Sequence, residues 1–325
     1  MISYLVKRLF LSIPILIGVN FITFILFFVV NDPNEVARIH LGEKYVTQES
    51  IDEWKTARGY DKPLFFNKDE TGLKVFTSTL FFIKNVQLFQ FEFGSSDEGS
   101  NITQDIRQRM CPSLAIAIPS LILGLIINIF LAFVVIFFRY SYLDTIGMII
   151  AVMMMSISML FFIIGGQYLL AKLLKWVPIS GFDSGFSMWH FLILPILVSL
   201  LGGLGAGVRW YRTLFIEEMN QEYVRTARAK GLSEMQVLFK HVLRNALIPI
   251  LTGVVVLVPF LFMGSLLVES FFGIPGLGSY TIDAISAQDF AIVRSMVFIG
   301  SLLYIIGLIL TDIAYTWVDP RVTLV

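Results

Sequence analysis

Six stretches without a charged residue alternate with polar ones along the chain: Leu9–Asn31, Met110–Phe138, Thr145–Ala171, Ser184–Val208, Asn245–Val268 and Ser295–Thr311. A helix rises 1.5 Å per residue, so about 20 apolar residues cross the hydrocarbon, and the first five runs reach that length. The sixth is short; its helix is expected to extend outward past Arg294 and inward past Asp312, whose side chains snorkel toward the headgroups. The pattern predicts an all-α integral membrane protein with six spans, at about 9–31, 112–138, 145–171, 189–208, 247–268 and 291–317. The expected organisation is a cytoplasmic N-terminus (1–8), the first span, an extracytoplasmic segment (32–110), a transmembrane domain (111–317) and a cytoplasmic C-terminus (318–325), with a cytoplasmic loop at 209–245.

Two polar interludes are long enough to fold. In the first, Thr47 is placed to cap a short helix that carries Ile51 and Trp54 and stops at Gly59, and Val75–Phe93 is apolar enough to pack on something. This predicts a small ordered cap, either a solvated lid or a landing surface. The second interlude reads helix, break, helix. Good helix formers and alanine fill Glu217–Lys230, Gly231 stands where a left-handed C-terminal cap is wanted, and Ser233 with Gln236 makes a capping box that restarts a helix at once. Small residues, Thr226, Ala227 and Ala229, leave the first helix slim enough to lie in a groove of another protein.

Charge orients this pattern. Lys7, Arg8, Arg139, Arg321 and seven basic residues of 209–245 give eleven on the inner side under a six-span topology, while the two short outer loops carry only Lys172 and Lys175. That asymmetry places both termini in the cytoplasm. The ten basic residues of 32–110 do not oppose it, because long loops are translocated largely regardless of charge. The apolar run after Arg8 exceeds the ~7–15 residues of a secretory signal core and no small-x-small cleavage site follows, so it reads as a retained span.

Composition agrees: 56% of residues are hydrophobic, 15% are charged and 30 are Phe. A net charge of zero gives nucleic acid no chain-wide attraction, and the single cysteine, Cys111, excludes an internal disulfide and reads as an inert residue at a helix start. No phosphate-binding G-x-x-x-x-G-K-[ST], no G-x-S-x-G, no H-E-x-x-H and no cysteine pair occurs, so neither catalytic nor metal-ligating residues are expected. His190 beside Trp189 reads as an interfacial anchor. The charges lie at span ends, whereas an ion-coupled carrier needs ionisable groups near mid-membrane. Gly202–Gly207 permits close helix approach, and Pro195 and Pro259 can break the backbone ladder where neighbours re-satisfy it.

Glu222-Tyr223-Val224-Arg225-Thr226-Ala227-Arg228-Ala229-Lys230-Gly231-Leu232-Ser233, with His241-Val242-Leu243-Arg244-Asn245-Ala246-Leu247-Ile248-Pro249, resembles the coupling loop of dipeptide/oligopeptide-type ABC importer permeases. Arg225-Thr226-Ala227 stands where the general importer pattern has Glu-Ala-Ala, a replacement usual in the peptide branch. Tyr4-Leu5-Val6-Lys7-Arg8-Leu9, Asp61-Lys62-Pro63-Leu64, Phe93-Gly94-Ser95, Glu269-Ser270-Phe271-Phe272-Gly273-Ile274-Pro275-Gly276-Leu277-Gly278 and Asp319-Pro320-Arg321 are similar to other landmarks of that family.

The resemblance implies the type I ABC importer permease fold of a B-type membrane subunit in the bacterial inner membrane. Its implied partners are a second related permease, two ATPase subunits or domains, an extracytoplasmic substrate-binding protein and the lipid bilayer. ATP and Mg are then used by the ATPases and not by this chain. Glu222, Tyr223, Arg225, Thr226, Ala227, Ala229 and Gly231 are the implied ATPase-docking residues, and Glu269, Gly273, Pro275, Gly276 and Gly278 the implied outer gate. The alternatives are a stand-alone secondary carrier or channel, and a membrane scaffold.

Overall fold

The computed structural model describes residues 2–30, 33–42, 46–68, 70–97, 99–183 and 185–318. Asp319-Pro320-Arg321 and the outer boundary of the first span at Asn31 lie outside the described residues. Among the described residues, five helices are long and apolar enough to cross a membrane, Val6–Val30, Ile102–Phe137, Met188–Met219, Glu234–Leu261 and Phe290–Ala314, and the pair Tyr142–Ser156 and Met159–Leu173, bent by 91°, brings the number to six when counted as one span. The chain divides into two compact units, one built from the first 108 residues with Tyr280–Ile309, the other from Arg109–Ser279 with the chain from Leu310.

In the first unit, helix α1 (Ile2–Ile25), extended by a π-helical turn to Val30, is followed by α2 (Pro33–Leu41), α3 (Gln48–Arg58), α4 (Lys74–Thr77) and α5 (Leu80–Phe89). Thr47 caps α3 as expected, accepting the Ser50 N–H, and Gly59 closes it at φ 68°. Ile51 and Trp54 are buried with Ala37, and Phe290 packs against them. A second aromatic core joins Phe24, Phe28 and Leu80, with Phe24 edge-on to Phe81 at 5.2 Å and to Phe65 at 5.4 Å. Such tilted pairs are the favoured geometry for rings. Arg58 pairs with Asp97 at 3.0 Å, and the Asp97 N–H donates to Asp289 at 2.7 Å. Asp289 in turn accepts the Ile292 N–H, capping the last helix. The segment between the first two spans is thus ordered, and its two small cores are completed by Phe24 and Phe28 of α1 and by Phe290.

The second unit is organised around the 32-residue helix α9 (Met188–Met219). It follows α6 (Ile102–Phe137), α7 (Tyr142–Ser156) and α8 (Met159–Gly166), the last continued by a π-helical stretch to Leu173. After it come α10 (Glu222–Ala229), α11 (Glu234–Gln236), α12 (Leu243–Leu261) and α13 (Leu266–Phe272); α14 (Leu277–Ser286) and α15 (Phe290–Val318) follow in the chain, with their residues Tyr280–Ile309 in the first unit. A π-helical turn, Val237–Val242, joins α11 to α12, making one rod of 234–261. The glycine run of α9 lets α7 approach closely: a Cβ on Gly205 would collide with the Ala151 carbonyl and with Met155.

Four boundaries differ from the expectation. The third span is not straight, because Ile157 is extended between Ser156 and Ser158 and hydropathy does not register a backbone break among apolar residues. The fifth ends at Leu261 and not at Val268, because Gly264 at φ 71° turns the chain before α13 begins. Helix α9 runs eleven residues past Val208, so the polar stretch 209–245 is mostly helix, with the chain leaving helical form only around 220–221 and 230–233. Cys111 is exposed and lies within α6, which starts at Ile102 and not beside the cysteine, because the polar residues 104–109 form its first turns.

Candidate functional site

An eight-residue helix is too short to hold itself in water. Helix α10 is held by two residues one turn apart: Val224, fully buried, and Ala227, 4% exposed. They enter a core made by Ala132, Phe133 and Ile136 of α6, Tyr211 and Phe215 of α9, and Val237, Leu238, Val242, Ala246 and Ile250 of the following rod. Phe133 stacks on Phe215 at 4.4 Å and on Phe239 at 5.1 Å. Burying the valine alone contributes about 1.5–3 kcal/mol. Helix α10 is thereby packed against the ends of three long helices.

Polar contacts fix its angle. The Tyr223 hydroxyl donates to the Glu218 carboxylate at the end of α9 and is also hydrogen-bonded by Asn245 of α12. Burial and that donated bond push the phenol up to about 12, so it remains a donor at neutral pH. Across the turn, Arg228 forks onto Glu234 at 2.8 and 3.1 Å. Gly231 reverses the chain at φ 81°, its N–H donating to the Arg228 carbonyl at 2.9 Å. The expected capping box is present: Ser233 Oγ accepts the Gln236 N–H and Gln236 returns a bond to the Ser233 N–H. One helical turn before Phe215, Arg212 meets Asp144 of α7 through Nε and Nη2, each at 3.0 Å.

Of the seven expected docking residues, Glu222, Arg225, Thr226, Ala229 and Gly231 are exposed on one surface and Tyr223 is half-buried. Ala227 is a correction: it faces the core, because its i, i+3 spacing from Val224 places both on the buried face. Glu222 and Arg225 pair with each other at 2.8 Å while remaining largely exposed. Two residues went unrecognised. The Val224–Ala227 spacing was the available signal for the first, and Asp144 carried none, since a lone carboxylate after a short connection says nothing about its partner. Arg212, read as a topology charge, is half of a partly buried ion pair.

The second candidate, the turn after α13, is closed on itself. The Glu269 side chain has 0% exposure, and its carboxylate accepts the N–H groups of Ser265 at 3.0 Å, Gly278 at 2.7 Å and Ser279 at 3.2 Å. Ser113 of α6 accepts the Leu277 N–H at 2.8 Å beside it. A Cβ on Gly276 would strike the carboxylate, and one on Gly278 would stand 2.7 Å from the Ser265 carbonyl carbon. Gly273, at φ 64°, ends α13, and the neighbouring Phe272 carbonyl accepts the Gly181 N–H at 2.8 Å. Glu269, Gly276 and Gly278 are therefore brought together as the inside of the turn, while Gly273 and Pro275 are exposed.

Comparison with known proteins gives matches over nearly the whole chain. The family model described as "Binding-protein-dependent transport system inner membrane component" matches residues 129–324, and the N-terminal model of the same kind of membrane component matches residues 1–112. The oligopeptide transport system permease protein AppB of Bacillus subtilis (strain 168) is 29% identical over 330 residues, covering 99% of each chain. A putative peptide transport system permease protein of Brucella abortus (strain 2308) is 31% identical over 328 residues, and the glutathione transport system permease protein GsiC of Salmonella choleraesuis (strain SC-B67) is 32% identical over 329, again with 99% of each chain covered.

Proposed function

Because the chain belongs to the family of binding-protein-dependent transport system inner membrane components, we propose that it is one of two permease subunits of an ATP-driven importer for peptides. Its partners in this reading are a second related permease, two ATPase subunits or domains that use ATP and Mg, and a substrate-binding protein on the outer side; this chain itself hydrolyses nothing. Both termini and α10 face the cytoplasm, following the positive-inside asymmetry.

The observation that carries the reading is the two-faced build of α10. Val224 and Ala227 lock it into the ends of α6, α9 and the 234–261 rod, while Glu222, Arg225, Thr226 and Ala229 are left outward on a helix of small girth. A partner closing on that surface would push the rod, and a rod continuous with the fifth span passes the push into the membrane. The outer turn follows as a stiff end-piece held by Glu269, with Gly273 and Pro275 as its exposed edge. No observation favours a stand-alone carrier: among the described residues, the buried charges within spans, Asp144 and Arg294, lie in the first turn or so of their helices, away from mid-membrane.

Gentle-detergent purification of the chain with its bound subunits, followed by ATPase and uptake assays, tests this. A second permease and ATPase subunits should co-purify. Gly231→Pro cannot adopt φ 81° and loses the N–H bonded to Arg228, so it should insert normally yet abolish uptake and its coupling to ATP hydrolysis. Normal uptake by that variant, or a chain that purifies alone without ATPase activity, would sink the assignment.

A further inference from the structure

In the second unit, the C-terminal end of α6 and the start of the 234–261 rod lie side by side and leave a groove of about 500 Å³ between them. Every residue that lines it is apolar, and the lining is open to the outside: Ile126, Phe130 and Phe239 are 58%, 64% and 55% exposed. From Ile126 to Phe137 the groove runs about 17 Å at 1.5 Å per residue, close to one leaflet's share of the roughly 30 Å of hydrocarbon. Its mean cross-section is then about 30 Å², too narrow to take in a helix 10–12 Å across and wide enough for one extended hydrocarbon chain.

The rim of this apolar groove is basic. Helix α6 ends at Phe137 and Arg139 follows at once; on the other wall Lys240 and Arg244, both exposed, come directly after the lining residues Phe239 and Leu243. Side chains on a helix tilt toward its N-terminus, so the long stems of Lys240 and Arg244 reach toward the mouth of the groove, where the rod begins. None of these three cations has an ion pair among the described residues. Two neighbouring carboxylates are already engaged, Glu234 by Arg228 and Asp144 by Arg212. Tyr140 and Tyr142, 86% and 89% exposed, stand beside Arg139, as aromatic residues do at a membrane–water boundary, and the Arg139 guanidinium lies 4.7 Å from the Tyr140 ring. An apolar slot one leaflet deep under unpaired cations is complementary to a lipid that carries net negative charge.

We propose that the groove binds one acyl chain of an anionic phospholipid, with the lipid phosphate held by Arg139 and Lys240. The lipid belongs to the leaflet on the α10 side of the bilayer. Phe133, Leu238 and Leu243 line the groove and also pack the core that seats α10, so the bound chain lies against the back of that core. The inference uses the chain's membership of a family of membrane components and is independent of the cargo and of the ATP-driven reading.

The test takes the full chain in mild detergent with the subunits that accompany it. It is titrated with phosphatidylglycerol or with phosphatidylcholine of identical acyl chains, and bound lipid is counted by native mass spectrometry. Each basic residue near an anionic headgroup is worth about fivefold in binding, so the parent should hold phosphatidylglycerol about tenfold or more tightly than phosphatidylcholine. Arg139→Gln/Lys240→Gln should bring the two lipids within about twofold of each other, because the charge attraction is gone. Val134→Trp, which fills the groove with an indole, should weaken both lipids alike. A parent without preference, a preference that survives the double substitution, or full lipid retention by Val134→Trp overturns the proposal. If Val134→Trp lowers the yield, the double variant, which alters no buried side chain, decides alone. Lipid that binds the isolated chain but is excluded whenever a second permease is attached assigns the groove to that subunit and equally overturns the proposal.

Discussion

The two glycine turns of the second unit, one at Gly231 and the other from Gly273 to Gly278, look alike in sequence and are opposite in construction. At Gly231 the backbone demands glycine through φ 81°, but a Cβ would have nothing within 4 Å. At Gly276 and Gly278 the demand is spatial: a buried carboxylate and a neighbouring backbone segment occupy the volume a methyl group would need. The first turn holds its chain by dihedral angle and leaves its side chains outward. The second directs its polar groups inward, onto Glu269. A turn whose surface is unspent is suited to receive a partner; one whose N–H groups are held by a buried carboxylate is suited to keep its shape.

The largest effects should come from breaking the second turn. Glu269→Ala leaves the N–H groups of Ser265, Gly278 and Ser279 without their acceptor, and Gly278→Ala forces the backbone at Ser265–Leu266 to move. Each is expected to cost about 3 kcal/mol or more, read as a clear drop in thermal stability and in the yield of detergent-purified protein. Gly231→Ala should cost only about 1 kcal/mol, since strain in φ is its sole penalty. Equal losses at Gly231 and Gly278 would erase the distinction between the turns.

An intermediate effect is expected where α9 is clamped to α7. Arg212 and Asp144 have side chains 19% and 11% exposed and share two hydrogen bonds, so Arg212→Met strands a carboxylate that is largely out of water. About 2–3 kcal/mol of destabilisation follows, and the double variant Arg212→Met/Asp144→Leu should recover much of it. Thermal unfolding of the two single variants and the double in one membrane mimetic measures this directly. A double variant no better than the singles would mean that the pair holds the helices by geometry that apolar packing does not replace.

Much of this was legible from local chemistry. Charge-free length gave the spans, since the bilayer sets a threshold that composition alone meets. Thr47, Gly59, Gly231 and the Ser233–Gln236 box were readable because a cap is written in three or four adjacent residues. What was hidden depended on distant partners or on backbone breaks inside uniformly apolar sequence. Ile157, extended between two serines, bends a span that hydropathy counts as continuous. Ala227 fits a small-residue face equally well pointing out or in, and only the core beneath α10 decides. Glu269 stood out in the sequence only as part of a family landmark and an implied gate, while its role comes from three N–H groups up to ten residues away.

The smallest stability effect should accompany one of the largest functional ones. Ala229 is exposed on the outward face of α10, opposite the buried Val224 and Ala227, and no role in the core is assigned to it. Ala229→Trp adds an indole to solvent, which is expected to change folding stability by no more than about 0.5 kcal/mol. If the slim outward face fits a groove in an ATPase subunit, that indole blocks the fit: the variant should insert and melt like the parent, lose most uptake, and retain less ATPase on co-purification. Ala229→Ser, which keeps the girth, should behave as the parent does. The sharpest form of the comparison between the turns is then a pair of substitutions in one assay, a single methyl at Gly278 that unfolds without touching a partner surface, and a whole indole at Ala229 that uncouples without unfolding. Full uptake by Ala229→Trp would show that the exposed face of α10 is not the surface a partner grips, and would leave the core beneath it as structure alone.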